Sequence, residues 1–440
     1  VTNGGSARTW VESVRSRLTG WRAHAALLVV FAALAAPVVA NQAVANGQLS
    51  IFDEWQYAER VHQVATGDLW MRNGEEIGAW GQDVRACRGI TRIDGPKPPP
   101  CRDSPDVFTL NSAAADPAPY YWATGAVAAV LTGSGLVDNA LLAARLVGAL
   151  WAALSMWSLF LVARALGAGR GGSLVAASTV LLVPALQQQY TFITPHALDI
   201  PVGALATLAT LKFLRREWPW WTLVLAGLGA AGVKGSNIVV VLGLGIALLA
   251  VVAWPGAVER ATRVRAVVAG AWLGASTLVF TLVSMLVVSA TQIGDPAPPG
   301  NYLVDSLLPV QLVLDSFRFL GPYGEGPLNM PATWMMLAMA GPALAIWAGV
   351  AREPAAFVRQ LAPGYLLGLA LGPILLDVMV FVTTGQYIGV HTRYGLALWP
   401  IGLGFFALLL RTRTAVVIAL AALVLYALAP SMFGLDSIAM

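Results

Sequence analysis

Apolar residues run through this chain in blocks of roughly 20, the length that carries an α-helix across the hydrocarbon core of a bilayer. Blocks of that length, without the strict alternation of a strand, predict an all-α polytopic membrane protein. The first block runs from Ala23 to Ala45 and the second from Leu141 to Leu166. Others cover Ser173 to Gln187, Asp199 to Lys212, Trp218 to Val233 and Ala266 to Thr291, with one between Asn237 and Arg260. Four more fill the remainder, giving about 11 spans in all.

The polar positions between the blocks set the orientation. Arg164 and Arg170, Lys212 with Arg215 and Arg216, Arg260 with Arg263 and Arg265, Arg352 with Arg359, and Arg411 with Arg413 recur at every second connection. Arginine-bearing short loops face the cytoplasm, so the N-terminus is predicted inside and the C-terminus outside. Arg8, Arg15, Arg17 and Arg22 precede the first block in the manner of a secretory leader. That block is long enough to span, and it is read as a retained first helix.

The polar connection after the first block, external loop 1 at 46–140, is the longest. Its last part, Tyr120 to Leu136, is apolar but only about 17 residues long, and the charge alternation places it on the outer surface as an interfacial helix. A second external segment runs from Gln292 to Pro331.

Composition changes this picture little. The 440 residues are 57% hydrophobic and 11% charged, against about 25% charged in soluble domains. The net charge of +4 comes from arginines between spans. It marks topology and no nucleic-acid surface, for no basic-aromatic groove pattern accompanies it. Cys87 and Cys101 both lie in the first external loop, where an oxidising exterior predicts a disulfide.

The candidate chemistry sits on the connections predicted to face out. Asp53 and Glu54 follow the first span directly, and ionisable groups at such a boundary are functional candidates. The structural alternative makes Asp53 the N-cap of a short helix running to Gly67. Gly227 to Gly232 fits G-x-G-x-x-G but lies inside a helix, so nucleotide binding is not expected. Lys234, at the end of an apolar helix, is either an anion partner or a lysine reaching for the interface. His391-Thr392-Arg393-Tyr394 offers a guanidinium fork for phosphate or a headgroup anchor with Tyr394 in the aromatic belt. Arg145, near the outer end of the second span, can pair with an external carboxylate. His196 and Asp199 fit a hydrogen-bonded pair or an N-cap better than a metal site, and no metal is expected.

These residues resemble a known family. Asp53-Glu54 after the first span, Asp116-Pro117-Ala118-Pro119-Tyr120-Tyr121, the Arg145 stretch, Gly232-Val233-Lys234 and Arg393-Tyr394 are similar to signatures of the C superfamily (GT-C) of membrane glycosyltransferases, which use polyprenyl-phosphate sugars. The resemblance covers about 22–265. It implies a catalytic module at 1–265 and variable helices at 266–440, with no separate soluble domain. It departs at Asp116, where the family often has His, and at Ala118, where it often has Pro.

By that resemblance Asp53 is the base for the acceptor hydroxyl, and Glu54 orients the acceptor or tunes Asp53. Lys234, Arg393 and Arg145 bind the donor phosphate. Asp116, Tyr120, Tyr121, His196, Asp199, His391 and Tyr394 line the substrate site. The partners implied are a polyprenyl-phosphate sugar, a glycan or glycolipid acceptor and membrane lipids, with no cofactor. Abundant Ala, Gly, Val and Arg with few lysines fit a high-GC, actinobacterial protein, and the resemblance implies a plasma-membrane enzyme of cell-wall synthesis. The donor implied is decaprenyl-phosphate arabinose or a polyprenyl-phosphate hexose. A transporter or flippase of lipid-linked sugars, and a non-catalytic subunit of an envelope-biosynthesis complex, are the alternatives.

Overall fold

The computed structural model describes residues 5–50, 53–90, 101, 110–253, 259–294, 306, 309–320, 339–349, 356–385, 387 and 389–432. The expected turn at Pro98-Pro99-Pro100, most of the segment Gln292 to Pro331 and the start of the span that follows it lie outside the described residues.

The described chain is mainly helical, and isolated bridges join Leu49 with Ile90 and Glu76 with Leu110. Among the described residues, 7 helices are long and apolar enough to cross a membrane: Gly20–Ala45, Ala140–Leu166, Pro195–Leu214, Gly235–Ala253, Arg260–Ala290, Phe357–Val382 and Thr392–Leu409. The protein is therefore a polytopic membrane protein. Three further expected spans coincide with shorter apolar helices, Arg170–Leu182, Trp221–Val233 and Arg413–Leu428.

Local chemistry shortens two of them. Val183 is extended (φ −103°, ψ 111°) and Pro184 opens a new helix, Pro184–Thr191. A proline lacks the N–H that would continue the first helix. Lys234 is likewise extended (φ −157°, ψ 140°) and ends the helix Trp221–Val233. At about 1.5 Å per residue, such helices fall short of a hydrocarbon core about 30 Å thick.

The helix Gly148–Leu166 lies at the centre, packed against Gly5–Ala45, Arg170–Leu182, Asp199–Leu214 and Trp399–Leu409. The helices Ile238–Ala253 and Ala356–Thr384 form a second closely packed pair. Small residues let backbones approach. A Cβ on Gly364 would stand 2.7 Å from Ala247 Cβ, and one on Gly203 would collide with the Ala397 carbonyl. Val279, Leu282, Val283 and Leu286 on Arg260–Ala290 are exposed, as are Val417, Ile418 and Leu425 on Arg413–Met432. Apolar surface on that scale is stable against lipid and not against water.

The first loop folds back onto the bundle. Its helix Glu54–Ala65 buries nine of 12 residues, including Glu54, Gln56, Glu59 and Arg60. A helix so polar is buried only where partners meet its side chains. The Gln56 side-chain oxygen accepts from the Ser112 backbone N–H at 2.6 Å and from the Ser112 hydroxyl. Arg60 donates to the Ala113 and Asp116 carbonyls. Leu49 N–H bonds the Gly89 carbonyl at 3.0 Å, and Cys87 and Cys101 form a disulfide.

The backbone contact at Gly203 holds the segment Thr392–Leu398 against the bundle, so Gly203→Val is expected to push that segment away. Overpacking of this kind costs about 1–3 kcal/mol. A clear fall in thermal midpoint in detergent should follow. Gly245→Ala, where a Cβ meets nothing within 4 Å, is the control and should leave the midpoint in place.

Candidate functional site

Three short 3-10 segments build the site, each at the start of an apolar helix. Pro195–Leu198 precedes the helix Asp199–Leu214, Gly235–Asn237 precedes Ile238–Ala253, and Thr392–Leu398 precedes Trp399–Leu409. The turn Thr392–Leu398 packs against both of the others. Three helix N-termini, each with a partial positive charge from its unpaired N–H groups, therefore start in one region. The loop helix Glu54–Ala65 and the helix Pro119–Gly133 pack together beside it.

Glu54 and Arg145 pair with each other. Arg145 donates from Nε to Glu54 Oε1 at 2.8 Å and from Nη2 to Oε2 at 2.9 Å. Its remaining donors reach the Asn46 carbonyl at 2.5 Å and the Gln48 carbonyl at 2.7 Å. Glu54 also accepts from the backbone N–H of Ser50 at 2.8 Å and of Ile193 at 3.1 Å. Glu54 is 0% and Arg145 3% exposed. Both carboxylate oxygens and all three guanidinium nitrogens are engaged, with four of the five guanidinium N–H donors used in these contacts. This is the pairing with an external carboxylate that the sequence offered for Arg145, and it uses the same atoms that the catalytic reading of Glu54 and the phosphate reading of Arg145 would need.

Asp53 differs from its neighbour in every respect. It is half-buried and adopts the left-handed region at φ 61°, ψ 21°, a strained backbone that Asp tolerates better than most residues. Its carbonyl accepts from the N–H groups of Gln56 and Tyr57, but its carboxylate makes no capping bond. The carboxylate lies within electrostatic reach of Arg393, Lys234 and Asp116. Loss of solvation raises its pKa, and the two cations only partly offset that shift.

Lys234 ends an apolar helix and turns into this cluster. Its ammonium meets Asp116 Oδ2 at 2.8 Å and Oδ1 at 3.0 Å, and the Tyr57 hydroxyl at 3.3 Å. Burial disfavours the ammonium, but the Asp116 carboxylate outweighs it and holds the pKa above its ordinary value. Tyr121 donates its hydroxyl to Asp116 Oδ2 at 2.9 Å and lies 4.1 Å beneath the Arg60 guanidinium. The Tyr120 hydroxyl accepts from Thr194 N–H at 3.0 Å. Both tyrosine rings are buried. They brace the wall through these protein partners.

On the opposite side, the Tyr394 ring organises three groups. His196 stacks on it at 5.2 Å with an interplanar angle of 28°, and His391 meets its edge at 5.9 Å. The Arg393 guanidinium lies 5.5 Å from its centroid. Burial, with Arg393 nearby, lowers the His391 pKa to about 4, leaving a neutral imidazole at neutral pH. His196 Nδ1 meets Asp199 Oδ2 at 2.6 Å. No group of three or more His, Cys, Asp or Glu among the described residues is arranged to hold a metal ion.

The structure thus brings Asp53, Asp116, Lys234, His196, Asp199, His391, Arg393 and Tyr394 into one region and sets Glu54 with Arg145 apart. It adds Tyr57, Arg60 and Asn237, which the sequence reading did not single out. Tyr57 and Arg60 follow Asp53 at helical spacing, and that spacing is the one signal that could have found them. A further polar group, Asp315 with Gln311, Arg318 and Tyr387, lies beside this region, where Phe319 packs on Gly395.

No family model matches this chain, and no curated protein matches it. Among solved structures it is similar to the arabinofuranosyltransferase AftD from Mycobacteria, at 17% identity and a TM-score of 0.46. The match covers 92% of this chain and 26% of that one, so the chain spans about a quarter of the length of AftD.

The pairing of Glu54 with Arg145 predicts a large asymmetric cost. Removing one member of a buried pair costs about 3–5 kcal/mol, because the other charge is left uncompensated. Arg145→Met and Glu54→Gln should each lower the thermal midpoint sharply. The double substitution should cost less than the sum of the two, as a double-mutant cycle would read directly. Additive effects would dissolve the pair.

Proposed function

We propose that this chain is a membrane glycosyltransferase that moves a sugar from a polyprenyl-phosphate donor to a cell-envelope glycan or glycolipid on the outer face of the plasma membrane. The observation that supports this reading is the meeting of Asp53, a carboxylate not spent on capping, with Lys234 and Arg393. The three come from segments far apart in sequence, and that combination matches the needs of the reaction.

The chemistry divides cleanly among them. Asp53 takes the proton of the acceptor hydroxyl as its oxygen attacks the anomeric carbon. The bond from that carbon to the phosphate oxygen breaks, and the phosphate leaves with added negative charge. Lys234 and Arg393 stabilise that charge where it develops. An arabinofuranosyl donor is placed just ahead of a mannosyl one. The reading also carries the outward orientation, with the N-terminus in the cytoplasm and Cys87 and Cys101 outside.

Asp53→Asn keeps the shape of the side chain and removes its basicity. Single-turnover transfer from decaprenyl-phosphoryl arabinose or mannose should fall about 100-fold or more, with donor binding retained. Because burial raises the Asp53 pKa, the acidic limb of the rate profile should sit above the ordinary aspartate value of about 4. Transfer is lost as pH falls through that value, because the base becomes protonated. Near-normal transfer by Asp53→Asn would favour the non-catalytic alternative.

The orientation has its own check. A membrane-impermeant thiol reagent applied to intact cells should label Cys87 and Cys101 only after reduction. Labelling that requires permeabilised membranes would reverse the topology.

A further inference from the structure

Beside the Asp53 cluster lies a second set of polar atoms with a different chemical character. Nε2 of His196, both Oδ1 and Nδ2 of Asn237, Oδ1 of Asp199 and Oγ of Ser236 are shut off from solvent and have no hydrogen-bond partner of good geometry within the protein. The Asn237 amide nitrogen and Asp199 Oδ1 can serve each other, which leaves Nε2, the Asn237 oxygen and the Ser236 hydroxyl unmatched. His196 is 1%, Asn237 0% and Ser236 7% exposed. The turns that carry them, Pro195–Leu198 and Gly235–Asn237, both pack on Thr392–Leu398, and Asn237 faces Asp199.

The set is rich in acceptors. With the proton of the His196–Asp199 pair on Nδ1, the imidazole presents Nε2 as an acceptor. The Asn237 carboxamide oxygen is a second acceptor, and the Ser236 hydroxyl both donates and accepts. Leaving such groups buried and unmatched is unfavourable, and a phosphate, itself an acceptor, cannot match the first two. Sugar hydroxyls can, because each donates one bond and accepts others. The cations Lys234 and Arg393 are within electrostatic reach of His196 and Asp199, so a phosphate on the cations would hold its attached sugar next to the acceptors.

We infer that His196, Ser236 and Asn237 form the subsite for the hydroxyls of the transferred sugar, with Asp199 fixing the orientation of the His196 ring. This rests on the glycosyltransferase reading and adds to it a division of the donor: phosphate to the cations, sugar to the acceptors. Asp199 is a positioning residue here, and the other three touch the sugar.

The test compares binding of decaprenyl phosphate, decaprenyl-phosphoryl arabinose and decaprenyl-phosphoryl mannose to the full chain in nanodiscs. The wild type should hold at least one glycosylated carrier more tightly than the bare one. His196→Asn places an amide where Nδ1 was, keeping the Asp199 contact while removing Nε2. It should reduce that preference roughly five- to tenfold, the worth of one or two hydrogen bonds. Asn237→Ala should do the same. His196→Gln, whose amide reaches the Nε2 position, should retain more of the preference. Affinity for bare decaprenyl phosphate should stay unchanged in all three. An unchanged preference in His196→Asn and Asn237→Ala overturns the subsite, as does an equal loss for bare and glycosylated carriers, which would mark a structural role. If the wild type binds none of the three carriers, the glycosyltransferase reading fails and the subsite with it.

Discussion

Removing a carboxylate from water without a counter-charge costs several kcal/mol, yet Glu54 is fully buried one residue from the candidate base. Arg145 makes this tolerable through two charge-assisted bonds, while two backbone N–H groups complete the carboxylate. The pair joins the first loop to the second apolar helix, and through Ile193 to the turn that holds His196. The left-handed Asp53 stands immediately before this anchor, so its position is inherited from it. A loop fixed only by its exposed residues would leave such a carboxylate free to wander.

The other half of the site follows from how three apolar helices begin. Each is preceded by a tight turn in place of a simple cap, and each turn supplies polar side chains that a continuous helix would have sent to lipid. Tyr394 then ties the groups together, with His196 on its face, His391 at its edge and Arg393 beside it. Cations gather toward the loop helix and unpartnered acceptors toward Asn237.

Much of this was legible in the residues. Asp53, Lys234 and Arg393 stood out because charges are costly at the ends of apolar runs, and that cost is local. The partner of Glu54 was not legible, since 91 positions separate it from Arg145 and only folding decides which carboxylate an arginine meets. The broken helix at Pro184 was visible as a proline, but its effect on span length depended on Val183 being extended. Asn237 looked like any polar residue at a helix start. Its burial depends on three turns converging, and nothing in its own neighbourhood of sequence encodes that. The resemblance to GT-C enzymes pointed to Asp116 as a substrate residue but not to its contacts with Lys234 and Tyr121, which only the fold shows.

That last contact has a consequence for how tightly any anion is held. Lys234 already has an anion, supplied by the protein, and its ammonium hydrogens are directed at Asp116 and Tyr57. A carrier phosphate would gain this cation only by exchange, so its affinity there reflects the difference between two similar interactions and not the full strength of one. On the proposed glycosyltransferase reading, a discharged carrier would be displaced by Asp116 returning to Lys234, and turnover on a membrane-bound substrate would not stall on a product that cannot leave.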